Sequence, residues 1–219
     1  MNALPALLLL VLLVAGCGGT PEPSPIEPEV SAVPDQSASA GAATELVATS
    51  TALEPGRYTR GSFSPPITFD LGPDWRAVQL FQGFFDIQQQ VGSPHVIAVQ
   101  FANVRGIHGA AGPVTTTDPG EAVEILRTNP GLTVVETSES RIGGLTGAQV
   151  TVENDRDAHA EVINVPPGPL GIDPGRRLWI AFFETDDGPL AIMVGGSTER
   201  WEEALLTAEP VLESVVVGP

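Results

Sequence analysis

The sequence predicts an α+β domain, in which an antiparallel β-sheet is covered by one mid-chain helix and one C-terminal helix. Segments such as 67–71 alternate apolar and polar residues with the two-residue period of a half-buried strand. Two other segments follow helix-capping signals and carry apolar residues at helical spacing. No internal repeat is visible, so these elements are expected to form one domain.

The predicted strands are bounded by turn residues. They are 67–71, 75–80, 84–89, 95–102, 133–139, 148–153, 177–184 and 190–195. The stretch 186–188, Asp-Asp-Gly, predicts a hairpin between the last two, because an Asp-Gly pair tolerates positive φ. Gly143, Gly144 and Gly147 predict a tight turn between strands; a cradle of backbone amides for a phosphate is the alternative.

Both helices have recognisable starts. Asp118 is a good N-cap, Pro119 suits the first helical position, and Glu121 completes a capping-box pattern. In the second helix, Thr198 is the predicted cap and Pro210 is expected to kink or end the helix, because proline lacks a backbone donor. Its predicted apolar face consists of Trp201, Ala204, Leu205, Ala208 and Leu212.

The N-terminus predicts export and lipidation. Residues 4–14 are nearly all Leu, Val or Ala, followed by Ala15, Gly16 and Cys17, the only cysteine. This pattern resembles the lipobox of bacterial lipoproteins, although no Lys or Arg precedes the apolar run. The resemblance implies cleavage between Gly16 and Cys17 and lipidation of Cys17 with diacylglycerol and palmitate-type chains. An ordinary secretory signal with an incidental cysteine, or a buried N-terminal helix, is the alternative.

The predicted domain organisation has three parts. Residues 1–16 are a signal peptide, 17–55 the lipidated cysteine with a disordered acidic Pro/Ser-rich tether, and 56–219 a single α+β domain. The tether is predicted because 18–55 has no aromatic or basic residue and too little apolar surface to offset its chain entropy. The protein is then held at the extracytoplasmic face of the cell membrane.

Composition argues against some partners. The net charge is −17, and all ten basic residues are arginines. Such a surface repels phosphate backbones, which argues against nucleic acid as a partner. The absence of lysine also excludes a Walker-type phosphate loop.

Several segments resemble a known family. They are 63–69 with 72–75, 129–134 with 142–149, and 211–215 at the end of the last helix. Their order is similar to the PsbP-like fold, including lipoproteins of the LpqN type, over residues 57–217. The resemblance implies an antiparallel sheet covered by helices and a binding or scaffolding role. It carries no shared catalytic set and no cofactor.

Polar clusters suggest little catalysis. Asp155, Asp157, His159 and Glu161 would share one face of an extended strand and could hold a divalent metal. A hairpin turn followed by a solvated strand is the favoured interpretation, so no metal ligand is assigned. Gly195-Gly196-Ser197-Thr198 lacks the closing glycine of a nucleophile elbow and is interpreted as a hairpin exit and helix cap. His95 and His108 are expected to be structural or solvent-exposed.

Two segments are candidate binding lips. Phe81, Phe84 and Phe85 surround Gly83, and one of the last two should be buried, since they point to opposite faces. One aromatic ring is then left exposed, with Trp179 or Tyr58 as possible neighbours. The segment 165–175 is predicted to be a long Pro-rich loop.

The function predicted from sequence is therefore coarse. The leading hypothesis is a membrane-anchored, non-enzymatic lipoprotein that binds a small molecule or protein outside the cytoplasm. The alternatives are an unrecognised hydrolase or metal-binding protein, and a structural accessory of a membrane complex. An apolar cavity between sheet and helix would favour the binding hypothesis.

Overall fold

A computed structural model describes residues 42–47, 49 and 51–218 of the chain. The predicted signal peptide, the lipidation site Cys17 and most of the predicted tether lie outside these residues. The domain divides into three sheets and two helices, which form two hydrophobic cores.

The elements follow the chain in this order. The strands are β1 (Thr44–Glu45), β2 (Thr51–Ala52), β3 (Gly56–Arg60), β4 (Ile67–Leu71), β5 (Arg76–Phe81), β6 (Phe84–Gln89), β7 (Ile97–Asn103), β8 (Gly106–Gly109), β9 (Gly112–Val114), β10 (Thr133–Ile142), β11 (Leu145–Asn154), β12 (Ala160–Val165), β13 (Gly168–Ile172), β14 (Arg176–Thr185), β15 (Gly188–Ser197) and β16 (Val216–Val217). The helices are α1 (Pro119–Arg127) and α2 (Trp201–Ser214).

A large antiparallel sheet forms the centre of the domain. Its eight strands run in the order β10-β11-β14-β15-β7-β6-β5-β2. Helix α2 packs against β4, β15 and β7 on one side, together with a sheet of order β1-β3-β4-β16. Helix α1 and a sheet of order β13-β12-β8-β9 pack on the other side. The predicted fold class, an antiparallel sheet covered by one mid-chain and one C-terminal helix, is confirmed.

Phenylalanine rings are buried in both cores. The rings of Phe69, Phe85 and Phe101 are stacked, with centroids 5.8 Å apart for Phe69–Phe85 and 4.5 Å apart for Phe85–Phe101. Phe84 lies on the opposite face and joins the core beneath α1. The prediction that one of Phe84 and Phe85 is buried therefore understates the packing, because each face of the central sheet is covered and both rings are buried.

The first helix starts as predicted. The Asp118 carboxylate accepts a hydrogen bond from the Glu121 backbone N–H at 2.8 Å, and Pro119 is the first helical residue. The Glu121 side chain accepts a hydrogen bond from the Thr116 hydroxyl. One hydrogen bond of the predicted capping box therefore forms, from the Glu121 backbone to Asp118. The Glu121 side chain bonds to Thr116, two residues before the cap, instead of to the backbone of Asp118.

The second helix begins differently from the prediction, and it does not end at Pro210. Thr198 begins a single 3-10 turn, its hydroxyl has no hydrogen-bond partner, and the α-helix starts at Trp201, so the predicted Thr198 cap is wrong. The helix also continues past Pro210 to Ser214. Burial of Ala208 and Val211 on either side of the proline keeps this last turn packed on the sheet despite the lost backbone bond.

Two connections test the turn predictions. Gly143 and Gly144, with φ of +59° and +84°, form the two-residue turn between β10 and β11, as predicted. The segment 165–175 is not a long loop, because β12 and β13 pair across it as a hairpin. Pro166 and Pro167 form the turn, and Pro169 is tolerated because β13 is an edge strand, where a missing N–H costs no ladder bond.

The folded region begins before residue 56. Strand β1 pairs in parallel with β3, β2 pairs with β5, and Leu46 is only 2% exposed. The boundary predicted at residue 56 is therefore too late, because the composition of the segment did not reveal that Leu46 is buried in the core and that Leu53 packs against it.

Leu46 provides a direct test of this boundary. Leu46→Ala is expected to lower the free energy of unfolding by about 2–4 kcal/mol, since it removes buried methyl groups and leaves a cavity. Val47→Ala is the matched control: Val47 is 75% exposed, and its replacement is expected to change stability by less than about 0.5 kcal/mol. Urea unfolding of both variants measures the difference; equal effects would show that Leu46 is not part of the core.

Candidate functional site

An apolar groove runs between α2 and the outer part of the central sheet. The sheet side is formed by β10, β11 and β14, which extend beyond the area that α2 covers. The helix side is formed by one flank of α2, which includes Leu205 and Leu206. The groove has a volume of about 560 Å³, within the range of small-molecule sites.

Of the twelve described residues that line the groove, six are apolar or aromatic and six are polar or charged. Trp179 on β14 is half-buried at the sheet side, and Trp201 at the start of α2 is nearly buried. Leu206 is 68% exposed and Val135 is 49% exposed, although both line the same groove. Leu205 and Leu212 complete the helix wall. Large apolar side chains left open to solvent along one groove mark a surface suited to binding.

Arg177 is the basic residue of the groove, and its charge is already balanced. Both its Nε and its Nη2 donate to one carboxylate oxygen of Glu153, at 3.1 and 2.5 Å. Its guanidinium also lies over the Trp201 ring, 5.7 Å from the centroid. The ion pair is about four-fifths buried on both sides, so Arg177 is held as part of the wall.

Three carboxylates line the polar edges of this groove. Glu136 lies on β10, while Glu209 and Glu213 lie one helical turn apart on α2. None of the three forms an ion pair within residues 42–47, 49 and 51–218. The arrangement is an apolar trough with an anionic edge, which can hold an elongated apolar molecule.

A second cleft brings together the two predicted lips. Phe81, 47% exposed, lines it together with Gly83 and with Pro166 from the β12–β13 connection. A Cβ on Gly83 would lie 2.7 Å from the Pro166 side chain, so the two segments are in close contact. Trp179 and Tyr58 are not part of this cleft: the first lines the α2 groove and the second is buried in the core.

A buried carboxylate lies beneath a third cleft, which is more polar than the α2 groove. Asp86 on β6 is 2% exposed; its Oδ2 accepts a hydrogen bond from Gln88 Nε2 at 2.6 Å, and its Oδ1 has no partner. Burial raises the pKa of Asp86 from 3.8 to about 6, against the opposing effect of the Gln88 and Gln100 amides. Both glutamines line a cleft of about 300 Å³ under β13.

The predicted metal-binding cluster is divided among different partners. His159 Nδ1 lies 2.8 Å from Asp173 Oδ1, whereas Glu161 lies 3.2 Å from His108 Nδ1. Asp155 accepts a hydrogen bond from Thr133 and forms an ion pair with Arg156. Across the part of the chain that the structure describes, no group of three or more His, Cys, Asp and Glu side chains is placed to hold a metal ion.

The remaining histidines are bound within the fold. His108 Nε2 lies 2.9 Å from Asn164 Oδ1 and so joins β8 to β12. His95 Nδ1 lies 3.2 Å from Ser197 Oγ. Among the described residues no carboxylate forms an ion pair with His95, so the contact lacks the third member that orients a catalytic histidine.

The groove was only partly visible in the sequence. Trp201, Leu205 and Leu212 were assigned to the apolar face of the last helix, whereas Leu206 and Val135 were assigned no role. A signal existed for Leu206: it falls outside the apolar face of α2 and so had no predicted partner in the core. No local pattern indicates that β10 lies opposite that side of the helix.

The geometry defines a class: an α+β domain with two covered sheet faces and an open apolar groove beside its C-terminal helix. No family model matches the chain, and comparison with curated proteins gives no significant match. Within the described residues, neither helix has the length and apolar character needed to cross a membrane.

Several solved structures are similar to this chain. The solution structure of PsbP (CyanoP) from Synechocystis sp. PCC 6803 has a TM-score of 0.43 at 10% identity and covers 79% of this chain and 98% of its own. LpqN of Mycobacterium tuberculosis, involved in cell envelope biogenesis, has a TM-score of 0.41 at 11% identity, with coverages of 77% and 90%. A protein of Bacteroides thetaiotaomicron has a TM-score of 0.41 at 8% identity, with coverages of 76% and 50%.

Proposed function

We propose that the chain is a membrane-anchored, extracytoplasmic lipoprotein without enzymatic activity, whose α2 groove binds a small apolar ligand. One observation carries the binding role: Trp179, Leu205, Leu206, Leu212 and Val135 line a single groove between helix and sheet. The N-terminal pattern ending in Cys17 supports the anchor and the location.

The energetics of the groove favour ligand burial. Covering apolar surface contributes roughly 25 cal/mol per Å², so about 100 Å² buried against Trp179 and the leucines contributes roughly 2.5 kcal/mol. The groove is already formed by packed secondary structure, which lowers the ordering cost of binding.

A structural accessory role has separate support. Phe81 is 47% exposed at the cleft that it shares with Pro166, on a different part of the surface from the α2 groove. An exposed aromatic ring beside a rigid proline is a common feature of protein-binding surfaces. Loss of a co-purifying protein from a Phe81→Ser variant that still binds groove ligands would favour this second function.

The groove is tested with a neutral fluorescent probe, N-phenyl-1-naphthylamine. The full chain is expected to bind it, and Trp179→Ala and Leu206→Ser are each expected to weaken binding about tenfold, the equivalent of 1.4 kcal/mol of lost apolar contact. Fluorescence titration at neutral pH gives the dissociation constants.

Val47→Ser is the matched control for Leu206→Ser, since Val47 is an exposed apolar residue outside the groove. It is expected to leave probe binding unchanged, while circular dichroism verifies that all variants are folded. Probe binding that all the variants leave unchanged would exclude the groove as the site.

The anchor is tested separately at Cys17. Cys17→Ala removes the thiol that would carry the lipid, so the variant is expected to move from the membrane to the soluble fraction of host cells. Fractionation and detection of the protein in each fraction measure this shift. A Cys17→Ala variant that remains in the membrane fraction contradicts lipid anchoring.

A further inference from the structure

We infer that the ligand of the α2 groove is an amphiphilic cation: a small molecule with a linear apolar body and an ammonium head group. The inference rests on the proposed function, because it specifies the chemistry of the molecule that the groove takes. It is drawn from the charges, the aromatic faces and the backbone that surround the groove.

The charged groups available to a ligand in the groove are carboxylates. Glu209 and Glu213 are four residues apart on α2, a spacing at which two like charges on one helix repel each other. Glu136 adds a third carboxylate from the sheet side. No arginine offsets them in the described part of the chain, so a cationic ligand would remove their mutual repulsion.

Among the described residues that line the groove, the one cation is Arg177, and it is already paired with Glu153. Arg177 is held by two hydrogen bonds from its guanidinium to Glu153 and stacks over Trp201. An anionic head group would meet an arginine whose charge Glu153 already balances, beside the carboxylates of Glu136, Glu209 and Glu213. An anionic lipid or fatty acid is therefore a poor match for the groove.

Two further features suit an ammonium group. The half-buried Trp179 ring lines the same groove as the carboxylates, and indole faces attract cations, including quaternary ammonium groups. The Leu206 carbonyl has lost its helical donor, because position 210 is a proline within α2.

The protein's own N-terminal segment is a poor occupant of the groove. Residues 18–55 contain six acidic residues and no basic residue before Arg57. Placing that acidic segment against Glu136, Glu209 and Glu213 would bring like charges together. An external cation matches the charge of the groove, whereas the preceding chain does not.

Three ten-carbon amphiphiles separate charge from apolar binding: decyltrimethylammonium, 1,2-decanediol and decanoate. Calorimetric titration of the full chain below each micelle concentration is expected to rank the affinities cation, diol, anion. The cation is expected to bind at least about tenfold more tightly than decanoate at low salt. Raising the salt to about 1 M should shrink this ratio, because exposed charges are then screened.

Two double variants test whether the carboxylates of the groove are the ones that attract the cation. Glu209→Gln/Glu213→Gln is expected to reduce cation affinity about tenfold while leaving diol affinity unchanged. The matched control is Glu184→Gln/Glu199→Gln, which removes the same two charges from exposed residues outside the groove. The control is expected to retain the preference for the cation.

Each outcome bears on one of the two proposals. Equal affinity for all three amphiphiles, lost in Leu206→Ser, overturns the cationic ligand while the apolar groove stands. Cation affinity that falls equally in both paired variants overturns it too, because the preference then comes from overall charge. Failure of all three amphiphiles and of the neutral probe to bind overturns the groove itself.

Discussion

Phe85→Ala is expected to lower the free energy of unfolding by about 3–5 kcal/mol, the typical cost of removing a fully buried aromatic ring. The Phe85 ring forms a triangle with those of Phe69 and Phe101, with centroids at 5.8 and 4.5 Å, and meets Phe63 edge-on at 5.3 Å. Its loss opens a cavity where β4, β6 and β7 pack together. Urea unfolding of the full chain measures the change.

Phe81→Ala is the matched control, because Phe81 lies on β5 of the same β5–β6 hairpin but is 47% exposed. Its replacement is expected to cost less than about 1 kcal/mol. Similar losses of stability in the two variants would contradict the placement of Phe85 at the centre of the core.

Asp86→Asn is expected to have the opposite effect and to stabilise the domain at neutral pH. Burial raises the Asp86 pKa from 3.8 to about 6, which corresponds to about 3 kcal/mol of unfavourable free energy when the carboxylate is charged. Asparagine is neutral at every pH and retains a side-chain oxygen for the Gln88 amide. Thermal and urea unfolding at pH 7.5 should therefore show a gain approaching that magnitude.

The pH dependence has a definite sign. Because the folded pKa of Asp86 is the higher one, the folded state binds more protons between about pH 4 and 6, and this group's contribution to stability is lost as the pH rises through that range. Asp86→Asn should remove this loss, whereas Asp187→Asn, at an exposed turn residue, should not. The same pH dependence in wild type and Asp86→Asn would show that Asp86 titrates normally.

The sequence predicts where individual strands lie better than it predicts which strands pair. Strands 67–71 and 84–89 were located correctly because alternation and flanking turn residues depend only on local sequence. The segment 165–175 was mistaken for a loop, since its prolines and glycines give no alternating pattern and its pairing with β12 is decided by tertiary contacts. The burial of Leu46 could not be predicted for a similar reason, because one buried residue does not produce a repeating pattern of apolar and polar positions.

The site was less predictable than the fold because it depends on distant segments. The four residues 155, 157, 159 and 161 were grouped because they are close in sequence, yet His159 and Glu161 bond to Asp173 and His108. The groove instead joins residues from β10, β11, β14 and α2, which are separated by up to about 80 positions. Contacts of this kind leave no local pattern to detect.

The most direct test of the groove is a site-resolved NMR titration of the full chain with N-phenyl-1-naphthylamine. We expect the chemical-shift changes to concentrate on the methyl groups of Leu205, Leu206, Leu212 and Val135 and on the Trp179 indole. Changes confined to the cleft of Phe81 and Gly83, or no change in the groove at saturating probe, would contradict it.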